Sequence, residues 1–115
     1  MKTLKISANN KISIIDVNFD DFRSIQKAPG GRFETVHTEK MGNYFQGPVI
    51  MLVDEDGYFK NLPLNRFGSW MYDTQRHGYP ILGDVILAEA HCEDITAVQE
   101  PEKLMEKLLD DFKFS

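Results

Sequence analysis

The chain has 115 residues, of which 42% are hydrophobic and 27% charged, and its net charge is −5. That length fits one domain able to bury roughly two thirds of the surface an unfolded chain exposes, and the composition excludes wholesale disorder. The single cysteine, Cys92, excludes an internal disulfide framework and fits a reducing cytosol, while the acidic balance argues against a sequence-independent grip on nucleic-acid phosphates.

Leu4 and Ile6 alternate with polar neighbours, Asn9 and Asn10 supply turn chemistry, and Ile12, Ile14 and Ile15 resume the apolar pattern, so two short strands or a hairpin are predicted. A helix is predicted within residues 16–29 (DVNFDDFRSIQKAP). Phe19, Phe22 and Ile25 recur there at three-residue spacing, Asn18 is placed to cap, Asp20 and Asp21 suit the positive end, and Pro29 with Gly30-Gly31 stops the helix. Residues 32–37 (RFETVH) alternate as a strand with one wetter face, and residues 38–48, with two Gly and a Pro, read as a long loop or an irregular hairpin end.

The apolar run 49–53 predicts a central strand covered on both faces. Asp54-Glu55-Asp56-Gly57 then turns the chain, Gly57 taking a positive φ, and Tyr58-Phe59 begins a return strand. Residues 65–73 suit a short helix with Phe67, Trp70 and Met71 on one side, although Gly68 weakens it. Residues 78–83 read as a loop and 84–91 (DVILAEAH) as a buried strand. Pro101 suits a first helical position, and Leu104, Met105, Leu108, Leu109 and Phe112 make one apolar helical face.

Candidate chemistry is sparse. Placing Gly57 at the sixth position of a calcium loop puts Leu52 first and Pro63 last, where carboxylates are required, so the acidic turn is no metal loop. His91 and Cys92 are adjacent on a strand and point to opposite faces, which disfavours a nucleophilic pair; Cys92 reads as a semi-buried strand-end residue. One Cys and three scattered His offer no zinc spacing, and no glycine-rich phosphate loop is present. No catalytic residue, metal or cofactor is therefore expected. The segment 65–77 mixes Asn65, Arg66, Trp70, Tyr72, Arg76 and His77 in a Gly-interrupted stretch, the residue types favoured where proteins grip partners or ligands. The bland alternative makes Trp70 and Phe67 core residues and Asn65 a cap.

The order of these elements resembles the family known as domain of unknown function 3846. The features that carry the resemblance are Gly30-Gly31 after a helix, the strand 33–36, the acidic turn 54–57, the Leu-Pro-Leu-Asn-Arg segment 62–66, and Gly83-Asp84 leading into the apolar strand 85–87. The resemblance implies a small accessory domain of phages, plasmids and their bacterial hosts, with no activity and no catalytic residue to carry over.

The expectation is a single α+β domain over residues 1–115, with a mostly antiparallel sheet of about five or six strands, two or three packed helices and an amphipathic C-terminal helix. A cytoplasmic location is expected, because no run approaches the ~18 apolar residues of a membrane span and the N-terminus lacks an apolar signal core. The leading functional expectation is a non-enzymatic module that binds a protein partner. Behind it stand a small-ligand or nucleotide binder using an Arg/aromatic pocket near residues 66–77, and an enzyme of unidentified type.

Overall fold

A computed structural model describes residues 1–114. Strands β1 (Lys2–Ile6) and β2 (Ile12–Asp16) form the expected antiparallel hairpin, with Leu4 opposite Ile14 and Ile6 opposite Ile12. Asn10 turns the chain at φ 65°, a conformation Asn tolerates better than most residues. The next helix, α1 (Phe22–Lys27), is shorter than its pattern suggests. Its cap is Asp21, whose carboxylate accepts from the Arg23 amide, whereas Asn18 accepts from the Asp20 amide in a separate turn. Side chains that bond to nearby backbone favour turns and caps over helix interiors, so 18–21 stays outside the helix. Ile25 is the buried residue of α1, and Phe22 is exposed.

Strand β3 (Phe33–Val36) leads into α2 (Glu39–Phe45), where a loop is the sequence expectation. Thr38 caps this helix by accepting from the Met41 amide, and Glu39 sits favourably in the first turn. Met41 is fully buried, with Tyr44 and Phe45 packed beside it at helical spacing. Gln46 ends the helix in the left-handed region at φ 55°.

β4 (Val49–Asp54) is buried along its whole length. Val49, Met51 and Val53 face one core, while Ile50 and Leu52 face the other. The turn after it is present, but the expected return strand is not. β4 already has β3 on one side and β5 (Val85–His91) on the other, so a returning strand has no edge to pair with. Residues 57–62 instead coil back through amide bonds from Lys60 to the Asp56 carbonyl and from Leu62 to the Gly57 carbonyl, leaving Tyr58 and Phe59 exposed. The left-handed residue here is Asn61 at φ 55°, not Gly57. A side chain at Gly57 would bring its Cβ within 3.2 Å of the Leu82 carbonyl, so the glycine serves close approach.

Helices α3 (Arg66–Tyr72) and α4 (Thr74–His77) follow, then β5, the short β6 (Asp94–Thr96) and α5 (Pro101–Asp111). Leu108 anchors α5 and Leu104 and Met105 are partly buried, but Leu109 is half exposed and Phe112 lies just beyond the helix. Every strand pair is antiparallel, in the order β2-β1-β5-β4-β3, with β6 pairing the C-terminal part of β5. The described residues thus form one α+β domain with six strands and five helices, α2 and α4 being additional to the two or three expected. No helix among them is long and apolar enough to cross a membrane.

Candidate functional site

The segment 65–77 does not converge on one point. Asn65 is fully enclosed: its side-chain oxygen accepts from the Gly68 amide at 2.8 Å, and its amide donates to the carbonyls of Ile6 at 3.0 Å and Gly83 at 2.9 Å. Sealed from solvent, it caps α3 and ties that helix to β1. Arg66 and Trp70 border an open groove of about 650 Å³ with Asn10, Phe112, Lys113 and Phe114. Trp70 is 46% exposed; Lys40 lies 4.3 Å from its ring centroid, and Phe112 packs against it edge-on. Arg76 is 3.7 Å from Glu39 and shares with Trp70 a separate open groove that also holds Lys40, Tyr44 and Asp73. Tyr72 is partly buried and lies against the His77 ring, their centroids 5.0 Å apart.

Tyr72 also borders a different groove, of about 440 Å³, with Glu34, Thr35, Val36, His37, Tyr79, Pro80 and Ile81. Four consecutive residues of an extended chain line it, and alternate residues point to opposite faces. Its wall is therefore the edge of β3, on the side of the sheet where Val36, Tyr72 and Ile81 pack. β3 is the outermost strand on its side of the sheet.

The hydrogen-bond phase of that edge follows from the register. Phe33 pairs with Asp54 and Val36 with Met51, and the Glu55 amide donates to the Arg32 carbonyl at 2.9 Å. In an antiparallel ladder, directly opposed residues alternate between bonded and non-bonded pairs. Arg32, Glu34 and Val36 thus bond toward β4, while Phe33 and Thr35 direct their N–H and C=O groups outward. No partner for those outward groups occurs among the described residues.

The groove extends past Glu34 into a second depression of about 580 Å³, lined by Val53, Asp54, Glu55, Gly57, Tyr58, Tyr79, Pro80, Ile81 and Leu82. Asp54 is held by Lys60 at 2.7 Å, and Asp56 by Arg32 at 2.8 Å. The hydrogen bond from Arg32 holds the Asp56 carboxyl below its ordinary range, with its positive charge adding to the effect. Glu34 and Glu55 have no ion pair among the described residues.

The histidines and Cys92 have separate settings. His37 Nδ1 is 3.1 Å from the Val49 carbonyl, His77 stacks on Tyr72, and His91 Nε2 is 2.8 Å from Glu89. Cys92 is exposed at φ 56° in the tight turn joining β5 to β6, not semi-buried at a strand end. No three His, Cys, Asp or Glu among the described residues are arranged to share a metal ion.

Sequence reasoning reached Tyr72, with His77 beside it but outside the groove lining, and missed Glu34, Thr35, Tyr58 and Tyr79. The outward phase of Thr35 depends on sheet order, which no local pattern encodes. Tyr79 had one local signal, an aromatic in the Gly78-Tyr79-Pro80 loop with no apolar periodicity to bury it.

The family model described as Domain of unknown function (DUF3846) matches residues 1–113, which extends the likeness beyond the core elements at both ends. No curated protein and no solved structure matches the chain.

Proposed function

Because the chain belongs to the DUF3846 family, whose description names no reaction, we propose from its own surface that it is a non-enzymatic binding module. It takes an extended segment of a protein partner along the open edge of β3. The observation that carries this reading is the outward, unpartnered main chain of Phe33 and Thr35 beside a groove walled by Tyr72, Tyr79 and Pro80. Strand addition to a sheet edge draws affinity from main-chain bonds and selectivity from flanking pockets. Each new backbone bond contributes about 0.5–1.5 kcal/mol net, so the short edge must be supplemented by side chains seated in the groove. Many proteins blunt an edge by keeping it short and charged, as β3 with Glu34 is. An adjoining aromatic groove is no part of that protective device, and it favours docking.

The test is selection of eight-residue peptides by display on the full chain, followed by affinity measurement against the Thr35→Pro variant. Proline at this position deletes an outward N–H while leaving the ladder to β4 intact. Binding should fall about fivefold to a hundredfold with the melting temperature little changed, since removing such a donor costs about 1–3 kcal/mol. Failure to select any peptide, or equal binding by Thr35→Pro, overturns the reading.

A second reading rests on a different observation. Arg66 has no carboxylate partner among the described residues and shares its groove with Trp70, Phe112 and Phe114. A cation beside the half-exposed Trp70 ring and the partly buried rings of Phe112 and Phe114 suits a small aromatic anion such as a nucleotide. A thermal-shift panel of nucleoside mono-, di- and triphosphates should then raise the melting temperature of the wild type but not of Arg66→Ala. No shift with any nucleotide removes this reading.

A further inference from the structure

We infer that the depression beyond Glu34 is a subsite for one basic side chain, lysine or arginine, of the docked segment. This deepens the β3-edge reading and rests on it. Four carboxylates stand around or beside this depression: Glu34, Asp54, Glu55 and Asp56. The two cations nearby are already engaged, Lys60 by Asp54 and the Gly30 carbonyl, and Arg32 by both carboxylate oxygens of Asp56. Glu34 and Glu55 are left without an ion pair among the described residues, and both are exposed. A docked cation would therefore meet two uncompensated negative charges on a molecule that is itself acidic.

Shape and surface chemistry agree with charge. Tyr58 is 81% exposed and Tyr79 71% exposed, and both line the same depression. Aromatic faces attract ammonium and guanidinium groups. The floor between them comes from Val53, Ile81 and Leu82, which suits the methylene stem of a long basic side chain while its head stays near the rim carboxylates. An acidic side chain would be repelled, and a short polar one would leave the floor uncovered.

Register supplies the connection to the edge. Glu34 and Val53 face each other across β3 and β4 and point to the same side of the sheet. A strand added beyond β3 places one residue directly opposite Glu34 on that side, with Cβ atoms about 4.5–5.5 Å apart. That residue's side chain enters the depression, and the two grooves share Glu34, Tyr79, Pro80 and Ile81 as a common wall.

The test uses the eight-residue peptides selected on the full chain, resynthesised with the recurrent position as lysine, arginine, norleucine or glutamate. Affinities are measured for the wild type, the Glu34→Gln/Glu55→Gln double variant and Thr35→Pro, at low and high salt. The expected result is enrichment of lysine or arginine at one position. Replacement by norleucine or glutamate should cost at least about tenfold in the wild type, and that difference should shrink in the double variant and at high salt. Peptides that need Thr35 but show no basic preference would overturn this subsite and leave the edge reading standing. Peptides with a basic preference unaffected by the double variant would also overturn it, because the cation would then sit elsewhere. If no peptide binds, the edge reading falls and takes the subsite with it.

Discussion

At the scale of single residues, Asn65 shows how one side chain can look like a ligand contact and act as a joint. Its position after Leu-Pro-Leu and before Arg66 is legible as a helix cap, and the structure makes it one. The amide's two further bonds, to carbonyls of β1 and of the 78–83 loop, belong to the tertiary fold and have no local signature. Replacement by alanine removes the cap and leaves two enclosed carbonyls short of a donor, for an expected loss of about 2–4 kcal/mol. Aspartate is the sharper probe. It preserves the acceptor for the Gly68 amide but turns carboxylate oxygen toward the Ile6 and Gly83 carbonyls inside the protein, where an unpaired charge is costly. Asn65→Asp is therefore expected to be no more stable than Asn65→Ala in urea denaturation at neutral pH. A variant within about 0.5 kcal/mol of wild type would show that capping alone is what the asparagine contributes.

At the scale of elements, legibility follows the range of the forces involved. The apolar runs that become β4 and β5 stand out because both faces of each strand are covered, and α5 stands out because its period and its Pro101 start are local. Helix α2 was hidden by Gly42, Asn43, Gly47 and Pro48, which give residues 38–48 the composition of a loop. Its formation depends on Thr38 as a cap and on Met41 fitting the core. Gly68 in α3 misled in the opposite direction. Local propensity counts glycine against a helix, yet a Cβ there would lie 2.9 Å from both Ile81 Cγ2 and Val85 Cγ2. Gly68→Ala is favoured by about 1 kcal/mol of helix propensity and opposed by about 1–3 kcal/mol of overpacking. The methyl groups it meets belong to buried residues on the loop before β5 and on β5 itself, which have little room to retreat. Net destabilisation of about 1 kcal/mol or more is expected from denaturant midpoints, and a stabilised alanine variant would mean that the helix can slide away from β5.

At the scale of the whole molecule, what the sequence hides is adjacency. Period and turn chemistry identify strands, but that β1 lies between β2 and β5, and that β3 is left at an edge, follows from long-range packing. The same adjacency makes the two faces of the sheet unequal. One face packs on α2, α3 and α5, whereas the other packs on α1, a six-residue helix that buries Ile25, together with the preceding segment through Val17. A short helix contributes little stability of its own, so α1 is held by that limited packing and by the Asp21 cap. The amides of β4 and the first half of β5 are enclosed by strands on both sides and by side chains above and below. Opening α1 need not separate any strand pair, whereas exposing the β4 amides requires dismantling the sheet. Native-state hydrogen exchange should therefore find the α1 amides exchanging about a hundredfold or more faster than those of Met51, Leu52 and Leu87, as expected of a locally unfolding unit. Destabilising Ile25→Ala should widen that gap by releasing α1 first, because truncating a buried isoleucine costs about 2–5 kcal/mol at the site. Equal protection of α1 and β4 would mean that the lightly covered face unfolds only with the whole sheet.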